Sequence, residues 1–327
     1  MTFQAEPPGT LLTRRSTLLA AVSLLSSHAA RAEKHIFLDY TQDELDRAYD
    51  QSRWAPTAAA IQARYGTDSA SVRQAYAWRT ESYGSNEAEA LDIFAPGQPA
   101  AAAPEGSFAG APILVFIHGG AWLRLTKDDA SAPAPTFVDR GGIWVALNFA
   151  NARQAPLMEM AEQCRRALVW VVRNAASFGG DPGRVFLAGH SSGAHLGGVL
   201  LTTDWAAWGL PAAPVRGALL MSGIYDLRPA LLSSRRNYVQ STDADVAALS
   251  PMRHLDQVSC PVIVSWGDEE SPEFKRQSRV FADALAGMGW LQARHMLFNT
   301  NHFEEPEQLN RPDTVLGRAA LGMMGLG

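Results

Sequence analysis

The chain reads as an α/β fold: a mostly parallel central sheet flanked by helices on both faces, with a small helical cap. Three observations carry that reading. Runs dominated by Val, Ile, Leu, Phe and Ala at 112–117, 142–147, 184–188, 215–221 and 261–266 show no polar alternation, the pattern of strands buried on both faces. Helical periodicity at 157–178 and 273–287 falls between such runs, so strand and helix alternate along the chain. Glycine-bearing motifs stand where two of the strands end, at 118–122 and 189–193.

Thr13, Arg14, Arg15 and Ser16 form a twin-arginine pattern, followed by an apolar run to Leu25 and by Ala30, Arg31 and Ala32, a small-residue cleavage signal. Residues 1–32 are therefore expected to be a signal peptide for the twin-arginine export machinery, and 33–327 one folded domain, periplasmic or secreted. The apolar run is short of the ~20 residues that span a bilayer, so no stable membrane anchor is expected. Thr41 to Glu44 spell a capping box that opens a helix toward Ala48. Residues 52–79 are alanine-rich and predict helical pieces broken near Pro56 and Gly66. This region either covers a site or packs against the sheet edge. Residues 96–112 read as a surface loop, 194–201 as a small-residue helix, and 224–255 as short cap helices. A strand-like 296–298 and a helix at 312–324 close the chain.

Composition narrows the function. With 47% hydrophobic and 19% charged residues, 327 residues can bury a single sizeable core. The net charge of -5, without a basic cluster interleaved with aromatics, argues against nucleic acid as a partner. Cys164 and Cys260 lack metal-ligand spacing and are expected to be free and buried. No metal or cofactor is expected.

The motifs point to acyl transfer on a small-molecule ester or amide. Gly189, His190, Ser191, Ser192 and Gly193 spell GxSxG between an apolar strand and a helix, the setting of a strained nucleophile elbow, with Ser191 as the nucleophile. Upstream, the strand 112–117 runs into His118, Gly119, Gly120, Ala121 and Trp122. Backbone N–H groups at Gly119 and Gly120, with that of Ser192, would form an oxyanion hole. His118 is expected to brace that loop. Trp122 is expected to line an aromatic substrate pocket, with plain packing as the alternative. Serine is a poor nucleophile unless a histidine takes its proton and an acid orients the imidazole. His302, in a loop after the last strand, suits the base, whereas His195 is expected to face the packing layer. The acid is drawn from Glu270, Asp268 and Asp226. Serine, acid, histidine is the chain order of an α/β-hydrolase.

The stretches HGGAW, GHSSGAHL, SGIYDLRP (222–229) and SPEFKRQS (271–278) together resemble kynurenine formamidases, as do YDQSRW (49–54) and LDIFAP (91–96). The resemblance covers most of the chain after the leader, and SPEFKRQS is its most selective part. It implies hydrolysis of N-formyl-L-kynurenine to kynurenine and formate by a serine triad without metal. It also maps the acid onto Glu270, where the family usually carries aspartate. Because tryptophan breakdown is intracellular and the leader points to export, a periplasmic carboxylesterase acting on small or aryl esters is the alternative. A silent hydrolase-fold binding protein is the third reading.

Overall fold

Strand and helix do alternate, and the order of the strands places two loop ends side by side. The computed structural model describes residues 1–5, 34–97 and 110–327. The chain divides into two compact units, Met1–Lys34 and His35–Gly327, and the architecture is that of the second. The export signal expected within 1–32 and most of the loop at 96–112 lie outside the described residues. In chain order come α1 (Gln42–Ala48), α2 (Ala58–Ala75), β1 (Arg79–Ser82), β2 (Ala90–Phe94), β3 (Ala111–Ile117) and α3 (Ala134–Val138). β4 (Ile143–Leu147), α4 (Leu157–Asn174), β5 (Gly180–His190), α5 (Ser192–Leu201), β6 (Val215–Met221) and α6 (Leu227–Leu232) follow. The chain ends with α7 (Asp243–Ala248), β7 (Val262–Gly267), α8 (Pro272–Gly287), β8 (Leu291–Leu297) and α9 (Val315–Met324).

Among the described residues eight strands form one sheet in the order β1-β2-β4-β3-β5-β6-β7-β8, with β1, β2 and β4 antiparallel and the rest parallel. The central strands have no polar face because each serves two cores. Ile113, Val115 and Ile117 of β3 join one core with Met160 and Leu168 of α4 and Phe281 of α8. Leu114 and Phe116 join the other, with Phe137 of α3 and Leu316 and Ala320 of α9. That double burial is the physical source of the unbroken apolar runs.

The structure departs from the sequence reading at four elements. α2 runs unbroken through Gly66. One helical glycine costs only about 1 kcal/mol relative to alanine. Tertiary contacts hold the helix: Ser69 Oγ accepts from the N–H groups of Ser131 and Ala132 at 3.0 and 3.1 Å, and Arg73 pairs with buried Asp92 at 2.5 Å. β1, with the polar sequence RTES, went unread because it is an edge strand with one face exposed. β8 starts five residues before its apolar end for the same reason. The last helix starts at Val315, capped by Thr314, whose hydroxyl accepts from Gly317 N–H at 3.0 Å. Cys164 and Cys260 are free and buried.

Candidate active site

The site assembles at the carboxyl ends of β3, β5, β6 and β7. Ser191 stands between β5 and α5 with φ +57° and ψ -120°, a conformation that a non-glycine residue holds only when its surroundings impose it. Its N–H donates to the Met221 carbonyl at 2.8 Å, tying the turn to β6. A Cβ on Gly193 would lie 2.0 Å from the Ile117 carbonyl oxygen, so only glycine lets the first turn of α5 rest on the end of β3.

That contact brings the glycine loop to the serine. A Cβ on Gly119 would lie 3.2 Å from the Ser191 Cβ. Gly120 has φ +103°, and its carbonyl accepts from Leu123 and Arg124 N–H groups at 3.0 and 2.9 Å, closing the turn. Among the described residues neither the Gly119 nor the Gly120 N–H meets an acceptor. The His118 ring stacks on Phe149 at 4.6 Å, and its Nδ1 donates to the Gly119 carbonyl at 2.9 Å, which braces the loop.

The loop after β8 carries His302, whose Nε2 lies 2.9 Å from Ser191 Oγ. Asn301 shapes this loop by accepting from Phe303 N–H at 3.0 Å, and His190 Nε2 donates to the His302 carbonyl at 2.8 Å. Burial, and then the charge of Arg235, push the His302 imidazole down to about 3. Its Nδ1 faces Glu270 Oε1 at 3.5 Å, longer than a hydrogen bond, and among the described residues Nδ1 has no other partner. Catalytic links of this kind are often long in the free enzyme and tighten in the substrate complex. Of the other two acids, Asp268 accepts from Thr300 N–H at 3.3 Å, in the loop after β8, and Asp226 caps α6. Glu270 is the one of the three beside His302.

Two residues at this centre escaped the sequence reading, Ser222 and Glu305. Ser222, at φ +49° after β6, presents its Oγ to both Glu270 and Glu305, and Glu305 also accepts from Ser265 Oγ at 2.6 Å. A hydroxyl donates one proton, so one of the two carboxyls must bring its own. Glu305 is that group. Burial raises it well above the usual carboxylate range and the neighbouring Glu270 raises it further, while burial raises Glu270 itself to about 7.

Trp122 requires a correction. It is buried and absent from the cleft wall, because left-handed backbone at Ala121 and Trp122 turns the indole into the core. There Nε1 donates to His195 Nδ1 at 3.2 Å, and His195 Nε2 donates to the Leu249 carbonyl at 2.8 Å. Ser192 Oγ accepts from the Trp122 N–H at 3.1 Å, so the two motifs are stitched together.

The cleft above Ser191 and His302 has a volume of about 220 Å³, with walls that include Tyr49, Tyr65, Arg124, Arg235, Tyr238 and Phe303. Asp50, Gln51 and Ser52 line it too, so the segment after α1 covers the site. The start of α8 explains how. Gln51 Nε2 donates to Ser271 Oγ at 2.8 Å, Tyr49 Oη donates to Glu273 at 3.2 Å, and Gln277 holds the cap by donating to the Asp226 carbonyl at 2.9 Å. Among the described residues no cluster of three or more His, Cys, Asp or Glu side chains is placed to hold a metal ion.

Comparison with known proteins agrees with this architecture. Residues 100–206 match the BD-FAE family and residues 163–260 the carboxylesterase family. The kynurenine formamidase of Danio rerio is 32% identical, covering 87% of this chain and 97% of the relative. That of Salmo salar is 31% identical over 88% of this chain and 98% of its own. Among solved structures, a candidate thioesterase from Silicibacter sp. superposes with a TM-score of 0.72 at 24% identity, covering 84% of this chain and 98% of that one, which speaks to fold alone. An α/β-hydrolase-fold serine hydrolase, the chain belongs to the kynurenine formamidase family.

Proposed function

We propose that the protein hydrolyses aryl formamides of the N-formylkynurenine kind through an acyl-enzyme on Ser191. The 2.9 Å approach of His302 Nε2 to Ser191 Oγ carries the reading. Ser191 attacks the formyl carbon as His302 takes its proton, and the oxyanion meets N–H groups at Gly119, Gly120 and Ser192. Glu270 stabilises the imidazolium. Collapse expels the aryl amine, which His302 protonates. Delocalisation of its lone pair makes this amine a better leaving group than an alkyl amine. Water activated by His302 then releases formate and restores the serine.

The second reading, a carboxylesterase for small or aryl esters, draws on the carboxylesterase match at 163–260 and on the leader. Residues 1–32 are proposed to direct export to the periplasm, leaving 33–327 as the catalytic domain. A fluorophosphonate probe should label the folded protein, and Ser191→Ala should abolish labelling and lower kcat/KM by roughly 10⁴-fold or more. Absence of labelling would favour a binding protein. A comparison of kcat/KM for N-formylkynurenine and p-nitrophenyl acetate separates the first two readings. Turnover of the ester with the formyl amide untouched rejects formamidase activity.

A further inference from the structure

The wall of the cleft holds a cation that the chemistry of Ser191, His302 and Glu270 leaves unused. Arg235, in the turn after α6, exposes only 6% of its surface. Its Nη2 donates to the Tyr49 carbonyl at 2.9 Å, while Nε and Nη1 are buried with no partner among the described residues. Among the described residues it pairs with no carboxylate. Three aromatic faces surround it instead, with ring centroids 5.5 Å (Tyr49), 5.4 Å (Trp122) and 5.8 Å (Phe274) from the guanidinium carbon. Phe274 also stands edge-on to the His302 imidazole at 4.9 Å, so one ring touches both the cation and the base.

A guanidinium held dry without a counter-ion is unfavourable, and cation–π contacts offset only part of that. The rest of the cleft does not supply the missing charge. Arg124 adds a second cation to the lining, and Asp50, the one carboxylate among its described residues, is engaged by Ser52 and Arg53. We propose that Arg235 anchors a carboxylate carried on the leaving group of the substrate, so that the enzyme selects aryl formamides or aryl esters bearing an acidic arm. The proposal rests on Ser191 being the reacting centre. It places the anion on the leaving group because a formyl group has no room for it. A planar guanidinium matches a carboxylate with parallel hydrogen bonds, and the aromatic surround keeps that pair out of water. A bound anion also offsets the charge by which Arg235 disfavours protonation of His302.

The test is a substrate ratio measured on the full chain. N-formylkynurenine and 2-formamidoacetophenone share the aryl formamide and the ketone, and only the first has the amino-acid arm. The expected ratio of their kcat/KM values is roughly 10- to 100-fold in favour of the acid, collapsing toward one in Arg235→Gln and recovering in part in Arg235→Lys. Any general damage to the fold acts on both substrates and cancels in the ratio. A wild-type ratio near one, or a ratio unchanged in Arg235→Gln, overturns the anchor. Phenyl acetate and 3-acetoxybenzoate form a parallel ester pair. If the formamides are inert but the ester ratio depends on Arg235, formamidase activity fails and the anchor stands; if the formamides react without such dependence, the anchor alone fails. Should neither pair react, calorimetric binding of benzoate against benzamide decides, and equal binding overturns the anchor.

Discussion

At Ser222 two carboxyl groups share one hydroxyl proton, and this sets the electrostatics of the site. In the proposed mechanism a neutral Glu305 leaves Glu270 to carry the charge that an imidazolium at His302 requires. A neutral glutamic acid is mimicked by glutamine, so Glu305→Gln should keep the hydrogen bonds to Ser222 and Ser265 and retain turnover. Glu305→Ala should destabilise the protein by about 1–3 kcal/mol through the two hydroxyls it strands. The sign with pH follows from linkage. A carboxyl whose folded pKa is raised contributes stability that is full below its unfolded value and is lost as pH rises through the folded one. The Tm of Glu305→Gln relative to wild type should therefore rise between pH 5 and pH 8; a flat difference would mean that Glu305 is already charged. For Glu270, raised to about 7, the proposed mechanism uses the charged form. The kcat/KM of the wild type should fall as pH drops below about 7, and Glu270→Gln should lose roughly 10³- to 10⁴-fold at pH 8.

Between elements, the decisive contact is that of α5 with the end of β3. Gly193→Ala would drive a Cβ into the Ile117 carbonyl, pushing the elbow away from the glycine loop. The expected cost is about 1–3 kcal/mol of stability, read by urea denaturation, with a loss of activity larger than the loss of folded protein. The same geometry explains what could be read from the sequence. β3, β4, β5, β6 and β7 are buried on both faces, so their apolar runs announced them, and the strand ends marked by glycine announced the loops carrying Gly119 and Ser191. β1 and the first half of β8 border solvent, and their alternating exposure resembles loop composition. The proposed triad of Ser191, Glu270 and His302 was legible because each follows a strand in the order serine, acid, histidine. Glu305 was not, since in Phe303-Glu304-Glu305-Pro306 it looks like any solvated acid, and only the packing of that loop against Ser222 and Ser265 buries it. Arg235 likewise reads as half of a surface basic pair with Arg236. For Trp122 the choice between the cleft wall and plain packing is not legible, because the left-handed backbone that turns it inward has no sequence signature in non-glycine residues.

For the whole molecule, the sheet, both cores and, among the described residues, every one that lines the cleft belong to His35–Gly327. The cleavage expected after Ala32 would leave that unit intact, so a chain starting at His35 should match the full chain in Tm and in kcat/KM. The segment from α1 to Trp54 is different in kind. Leu45 and Tyr49 are buried in the core, Gln42 donates to the Leu232 carbonyl at 3.0 Å, Asp46 accepts from Ser234 N–H at 2.6 Å, and Gln51 is bonded to Ser271. These bonds join the cap, α8 and the cleft wall through one short stretch of chain, and the Tyr49 carbonyl is the one hydrogen-bond acceptor of Arg235 among the described residues. A chain starting at Ala55 should therefore keep the sheet but open the site. Its Tm should fall by several degrees, and KM should rise far more than kcat falls, because the serine, histidine and glycine loop are untouched while the wall that holds the substrate is gone. Calorimetry and steady-state kinetics on the two truncations check this together. Equal KM values for both would show that the segment only packs against the sheet edge.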